Sequence, residues 1–566
     1  MQLSCEEKRQ SWIKAACWGV CIVLALIEIW SGRNYADPDA ISYLDMSDAL
    51  LRHDWRLLVN PCWSPLYPFL LGTGTWLVRP SAYWELPLVH VVNFVIFLGA
   101  LLSFEFLLRQ VICGLGQENN PQDANPAVPL PPWMWRILGY SLFSWSTFVL
   151  VNGLRKVTPD LCVAALVYLD AGLVLRLRTP ARKFCTFLLL GATLGLGYLA
   201  KALLFPMAFV FMAVAWLAAG GWRKTVLPAS ATLLVFGAVA APLFLGISKA
   251  VGRPSFSETG TLNYALHVSG HKFPPFYPSN PPPYLKHPIK RIHEYPNVFE
   301  FGQPFLSTYP LWFDPWYWFD GIAIRMNVRG QLHQIGQSLT DFYANLVGPV
   351  WGLIAGYLVL FFMSPNLRGR FRNIVGSWPL LATGAAALCL YMLVHVEPRY
   401  IGPFVLLMWL GLLSGIRLQK SRDSTKLGLV GTLAIAGSLA VLTVQFVFFH
   451  LAKPLPILQW PGGIYFQVAD SLNKEGVRPG EAVAIVGSGW DGMFWARLAR
   501  VRIVAEIPSE DKAAFWLSGP SVTKGVLETI SGIGVKAIVT HGQPESPDAQ
   551  GWHKLGPTDY YVHMLP

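Results

Sequence analysis

Apolar runs long enough to cross a bilayer recur from Trp12 to His450, and that repetition limits this chain to one kind of fold. Only 14% of the 566 residues are charged and 53% are hydrophobic. Soluble domains carry about a quarter charged residues. The chain is therefore read as mainly α, a polytopic helical membrane bundle. Its first run, near Trp12 to Trp30, follows Lys8, Arg9 and Lys14. No small-residue cleavage site follows, so the run reads as a retained helix rather than a signal peptide. Further spans are expected near 86–108, 134–152, 159–176, 184–200, 203–220, 225–248, 343–363, 374–394, 400–416 and 427–450. With the first run that makes about eleven.

Short basic clusters lie between alternate pairs of these runs: Arg176, Arg178, Arg182 and Lys183; Arg223 and Lys224; Arg368, Arg370 and Arg372; Arg417, Lys420, Arg422 and Lys426. All four fall on the cytoplasmic side, together with the N-terminus, if 65–79 is a helix that does not cross. They also account for most of the formal net charge of +11, so no nucleic-acid partner is expected. The opposite, extracytoplasmic face then carries 32–85, the turn near 152–158, Lys201, a long loop 249–340, the turn His395 to Tyr400, and everything after about 451. None of the eight cysteines follows Cys389, so the outer regions lack a disulfide framework, which suits a bacterial envelope.

The expected organisation is a transmembrane domain over 1–456 with outer loops 32–85 and 249–340, followed by a small soluble α/β domain over 457–566. The long loop is rich in aromatics and proline, as in Phe273-Pro-Pro-Phe-Tyr-Pro278, Pro281 to Pro283 and Tyr309 to Gly321. Such aromatics suit either the headgroup level or stacking on sugar rings. In the tail, β-branched runs at 481–486, 501–505 and 535–539, with a helix near 468–472, predict a parallel sheet. Gly487-Ser-Gly489-Trp-Asp-Gly492 fits a dinucleotide fingerprint, with Glu506 following. The helix it requires has little room before Arg500, so a structural glycine turn is the expected reading.

The chemistry-bearing residues collect on the outer side. Asp39 and Tyr43 are four apart and share one face of a helix starting near Pro38, and Asp37 is placed to cap it. Asp45 and Asp48 read as that helix's polar face, and Trp55, Trp63 and Tyr67 as interfacial anchors. Asp160, at a helix start, suits either the helix dipole or a site. Lys201, between two spans, either snorkels or contacts a phosphate. His395-Val-Glu397-Pro-Arg399-Tyr400 puts Glu397 beside Arg399, whose guanidinium can clamp a phosphate. A base and phosphate-binding cations are what sugar transfer from a lipid-phosphate donor requires. A divalent cation on two carboxylates is the one cofactor left open, and no His or Cys spacing supports zinc.

The run Asp39-x-x-x-Tyr43, Asp54-Trp55 and Trp63-Ser-Pro-Leu-Tyr-Pro68 resembles the first outer loop of the GT-C glycosyltransferases. It is most similar to bacterial relatives of the dolichyl-phosphate-mannose protein mannosyltransferases and to the lipid A aminoarabinose transferases. Thr158-Pro-Asp160, Gly195-Leu-Gly-Tyr-Leu-Ala-Lys201 and Glu397-Pro-Arg399-Tyr400 resemble that superfamily in order. The resemblance covers roughly 12–248 and 375–416. It implies a bacterial inner-membrane enzyme that moves a sugar from a polyprenyl-phosphate donor to an envelope acceptor. Asp39 would be the base, with Asp37 its alternate or orienting neighbour. Asp160, Glu397 and Tyr43 would shape the acceptor or metal site, and Lys201 and Arg399 would bind the donor phosphate. The sequence departs from the mannosyltransferase pattern, which has adjacent Asp-Glu where Asp39-Ala40 stands. The competing expectations are a transporter or lipid-glycan flippase without chemistry, and an envelope assembly protein anchored by its bundle.

Overall fold

The computed structural model describes residues 5–115, 128–179, 183–220, 222–270, 287, 289–302, 306–317, 322, 324–364, 367–452, 463–487, 493–544 and 551–566. The aromatic run 273–278, the triplet 281–283, residues 318–321 and the glycine-rich 488–492 lie outside these. The chain forms two compact units. One comprises Met1–Gly32, His90–Ser269 and Met326–Pro454; the other comprises Arg33–Val89, Gly270–Arg325 and Leu455–Pro566.

The helices used below are α1 (Cys5–Gly32), α2 (Pro38–Leu51), α3 (Leu66–Val78), α4 (Ala82–Leu115), α5 (Pro132–Ser144), α6 (Asp160–Arg176), α7 (Lys183–Ala200), α8 (Leu204–Ala218), α9 (Trp222–Val251), α10 (Thr259–His267), α11 (Trp378–Met392), α12 (Pro398–Leu413), α13 (Arg422–Ala452), α14 (Gly463–Lys474), α15 (Phe494–Ala499) and α16 (Pro520–Gly532).

The first unit is a helical bundle of a multi-pass membrane protein. Among the described residues, five helices are long and apolar enough to cross a bilayer, lying in α1, α4, α7, α9 and α13. Two bent pairs, Val328–Val347 with Trp351–Met363 at 77° and Arg370–Gly376 with α11 at 70°, raise this to seven if each is one span. The other expected spans fall on shorter helices. The segment 134–152 is α5 continued by a π-helical stretch Trp145–Val151, and α6, α8 and α12 take 159–176, 203–220 and 400–416. The difference from eleven arises because α6, α8 and α12 are 17, 15 and 16 residues long and the segment 134–152 is divided between α5 and the π-helical stretch.

The bundle has two distinct ends. At one, Arg178 donates to the Gly376 carbonyl, Lys183 to the Ala219 carbonyl, and Arg417 and Leu418 pair antiparallel with Pro129 and Val128. Basic turns far apart in sequence are thereby neighbours. At the other end, His90 Nδ1 lies 3.0 Å from the Leu154 carbonyl and Asn93 Nδ2 donates to that of Lys156, fixing the turn before Asp160. Along the bundle α7 and α9 pack closely. A Cβ on Gly191 would stand 2.5 Å from the Thr232 carbonyl, so only glycine permits that backbone approach.

The second unit joins the first outer loop, part of the long loop and the tail. Among the described residues its sheet has seven strands: β1 (Lys290–Glu294), β2 (Asn297–Glu300), β3 (Ala482–Val486), β4 (Arg502–Ile507), β5 (Val535–His541), β6 (Trp552–Lys554) and β7 (Tyr560–Met564), in the order β1-β2-β4-β3-β5-β7-β6. The expected parallel core is present, with β3 between β4 and β5. The long loop contributes the β1–β2 hairpin, whose Phe299 and Glu300 pair antiparallel with Glu506 and Ala505. Val298, Val486, Ile507, Phe515 and Ile538 share its core with Ile530 of α16.

The first outer loop packs in this unit through α2. Met46, Ala49 and Leu57 bury against Phe313, and Asn60 donates to the Phe313 carbonyl while accepting from Cys62 and Trp63. Trp63 and Tyr67 are packed edge-on against Tyr43 rather than serving as interfacial anchors; Trp55 remains exposed. The helix α3 has 13 residues, about 20 Å at 1.5 Å per residue, which is short of a 30 Å hydrocarbon core.

Candidate functional site

Two helix starts and one interhelical turn assemble a charged cluster at the non-basic end of the helical unit. Asp160 opens α6 and is 1% exposed. Its Oδ1 lies 2.6 Å from Lys201 Nζ, in the turn between α7 and α8, and its Oδ2 accepts from Thr158 Oγ1 at 2.8 Å. Arg399, in the first turn of α12, stands 3.8 Å from Asp160 and donates through Nε to Glu397 at 2.6 Å. The sequence reading chose Asp160, Lys201, Glu397 and Arg399 from three separate segments, and the structure brings all four together.

Tyr400 is the shelf beneath the two cations. The Lys201 ammonium sits 3.5 Å from its ring centroid, the Arg399 guanidinium 4.9 Å, and Arg399 Nη2 also donates to its hydroxyl. Tyr391 stacks behind it. A ring face attracts cations most strongly where water is excluded. Burial lowers the pKa of Lys201 while the Asp160 carboxylate pulls it back up. Burial also works against charge on Glu397, yet His395 and Arg399 together hold its carboxyl far below the usual carboxylate range.

Two residues of this cluster went unassigned in the sequence. His395 faces Glu397 through Nε2 at 3.4 Å and stacks on His267 of α10 with ring centroids 4.2 Å apart. The 395–400 motif marks His395; nothing in the sequence around His267 marks that residue. Burial, reinforced by His395, pushes His267 down to about 4. A histidine lowered from its usual 6.5 is held neutral in the fold, so its contribution is complete above about pH 6.5 and is lost as pH falls toward 4. Unfolding midpoints should therefore drop across pH 6.5 to 4.5, and His267→Gln should flatten that slope, with His395 and Glu397 the remaining titratable neighbours.

The other chosen residues lie in the second unit. Asp37 occupies the cap position of α2, but its side chain does not cap the helix; the Pro38 start supplies the turn instead. Asp39 is half-buried in the first turn, and Tyr43 is buried among Trp63 and Tyr67. Asp45, expected on a solvated face, is instead 5% exposed. It accepts from the Thr308 backbone N–H and hydroxyl at 2.7 and 2.8 Å and from Arg497 at 3.0 Å. Arg497 of α15 also meets Asp48 at 2.6 Å and Glu85 at 2.7 Å, and Arg500 reaches both at 3.2 Å. Sequence periodicity gave no sign of this ion cluster.

For a metal, the donor set is poor. Among the described residues no three His, Cys, Asp or Glu side chains group as ligands, and Asp160 and Glu397 are each engaged by a cation. Gly487, which opens the glycine-rich turn, has φ +105, and α15 beyond it is six residues long. That is too short for the helix a dinucleotide fingerprint needs.

No family model and no curated protein matches the chain. Among solved structures it is similar to ArnT from Cupriavidus metallidurans in the apo state, with a TM-score of 0.51 and 11% identity over 97% of this chain and 98% of that one. It is similar also to ArnT from the same organism bound to undecaprenyl phosphate, with a TM-score of 0.53 and 12% identity over 98% and 97%. This chain and those structures share a fold along nearly their whole length.

Proposed function

We propose that this protein is an integral-membrane glycosyltransferase that moves a sugar from a polyprenyl-phosphate donor to an acceptor on the extracytoplasmic face of a bacterial inner membrane. The observation that carries this reading is the pairing of Lys201 and Arg399 on one aromatic shelf, at the end of the bundle away from the basic turns. By the positive-inside rule the basic end is cytoplasmic, so the cations face outward. The ArnT structure with undecaprenyl phosphate supports the donor class.

In the proposed reaction an acceptor hydroxyl attacks the anomeric carbon of the donor. The bond from that carbon to the phosphate oxygen breaks, and the lipid phosphate leaves with the electron pair. Lys201 and Arg399 stabilise the charge that grows on the departing phosphate. Asp160 and Glu397 hold the two cations in place, and Asp39 accepts the hydroxyl proton. The bundle surface accommodates the prenyl chain.

Binding of undecaprenyl phosphate to the purified protein in nanodiscs tests the cation assignment. Lys201→Ala and Arg399→Ala are each expected to weaken binding by about tenfold or more, since a hydrogen bond to a charged group is worth about 1.5–3 kcal/mol. Unchanged affinity in both variants removes the phosphate role.

A further inference from the structure

A second charged cluster lies at the opposite, basic end of the bundle, and the proposed reaction does not use it. Glu105 of α4 is 4% exposed and faces three cations. Arg109 Nε is 2.7 Å away, Arg136 Nη1 3.2 Å from both carboxylate oxygens, and Lys14 Nζ 3.5 Å. Tyr140 donates to the same carboxylate at 2.5 Å and accepts from Trp18. Among the described residues one carboxylate thus balances one of three cations, and the buried Arg136 Nε has no hydrogen-bond partner.

A cavity of about 220 Å³ begins beside this cluster and runs between α1, α5 and α13, lined by Cys17, Val20, Leu24, Tyr140, Thr443 and Val444. Tyr140 belongs to both features. From Cys17 to Leu24 the groove extends about 10 Å along α1, starting one turn beyond Lys14. Its walls are apolar, and Val20 and Val444 are exposed on the outside of the bundle, so it opens sideways.

Excess positive charge at the end of the helices, continued inward by a laterally open apolar groove, matches an amphiphile with an anionic head. We infer that this groove binds one anionic phospholipid, its phosphate against Lys14, Arg109 and Arg136 and an acyl chain along the cavity. Basic pockets between membrane helices on the cytoplasmic side recognise anionic headgroups in this way, at about 1 kcal/mol per basic residue. Charge complementarity selects the headgroup, and the groove selects a lipid over a free anion.

Native mass spectrometry of the full-length protein tests this, with phosphatidylglycerol and phosphatidylcholine of matched chains as probes. The wild type should retain one phosphatidylglycerol in preference to phosphatidylcholine. The K14Q/R109Q double variant removes two partly exposed cations and should lower that preference by about twenty-five-fold, at about fivefold per charge. V20W fills the groove from its exposed side, leaves every charge in place, and should also lose the bound lipid. Equal retention of the two lipids by the wild type overturns the inference, as does V20W binding like wild type. Inorganic phosphate raising the melting temperature as much as phosphatidylglycerol does would reduce the site to an anion site and overturn it too.

Discussion

Arg497→Met is expected to destabilise the second unit by about 3–5 kcal/mol, the cost of removing one partner from a buried ion cluster. Arg497 is 3% exposed, and its guanidinium touches Asp45, Asp48 and Glu85 at 2.6 to 3.0 Å. Without it, Asp45 and Glu85 are left inside the unit with much of their compensation gone. Burial already raises the Asp45 carboxyl above its ordinary range, with Arg497 and Thr308 pulling it back. Arg500 shares two of the same carboxylates, but its side chain is 36% exposed and water can take its place. Arg500→Met should therefore cost about 1 kcal/mol or less. Chemical unfolding followed by tryptophan fluorescence measures both. If the two variants unfold alike, the cluster is not what holds α2 to α15.

Asp39→Asn is expected to lower sugar transfer by about 10²–10⁴-fold, the usual worth of a positioned general base. Asparagine keeps the shape of the side chain in the first turn of α2 and removes its capacity to accept a proton. Undecaprenyl phosphate binding should be unchanged, because the phosphate contacts proposed above are Lys201 and Arg399. Single-turnover transfer from a radiolabelled lipid-linked sugar, set beside lipid-phosphate affinity, separates the two effects. Asp37→Asn is the control, and its loss should be smaller. Normal transfer by the Asp39 variant together with a dead Asp37 variant would reassign the base to Asp37.

Asp160, Lys201, Glu397 and Arg399 could be picked out from the sequence because each stands at the lip of an apolar run, where a charge must be paired or used. Their convergence follows from the rule that places alternate turns on one side of a bundle. The tail strands β3, β4 and β5 were visible as β-branched runs for a similar reason, since a parallel core strand is apolar on both faces. Arg497 gave no such signal. It sits in a six-residue helix of the tail, and its partners are more than 400 residues away. Asp45 misled because a helical period reports which side a residue faces, whereas burial of that side depends on what packs there. The hairpin at 290–300 was hidden by composition. Lys290-Arg-Ile-His-Glu294 is an edge strand with three exposed residues, and it reads as solvated loop.

That hairpin has a bearing on how the protein is made. Translation completes β1 and β2 long before Ala482–Val486 and Arg502–Ile507 exist, so a strand edge must wait, unpaired, through the synthesis of several membrane helices. Such edges invite pairing with other chains. A reporter fused near residue 456 in place of the tail would leave the edge permanently open. Shortened versions of this protein should therefore aggregate through residues 297–300 even when every membrane helix is intact.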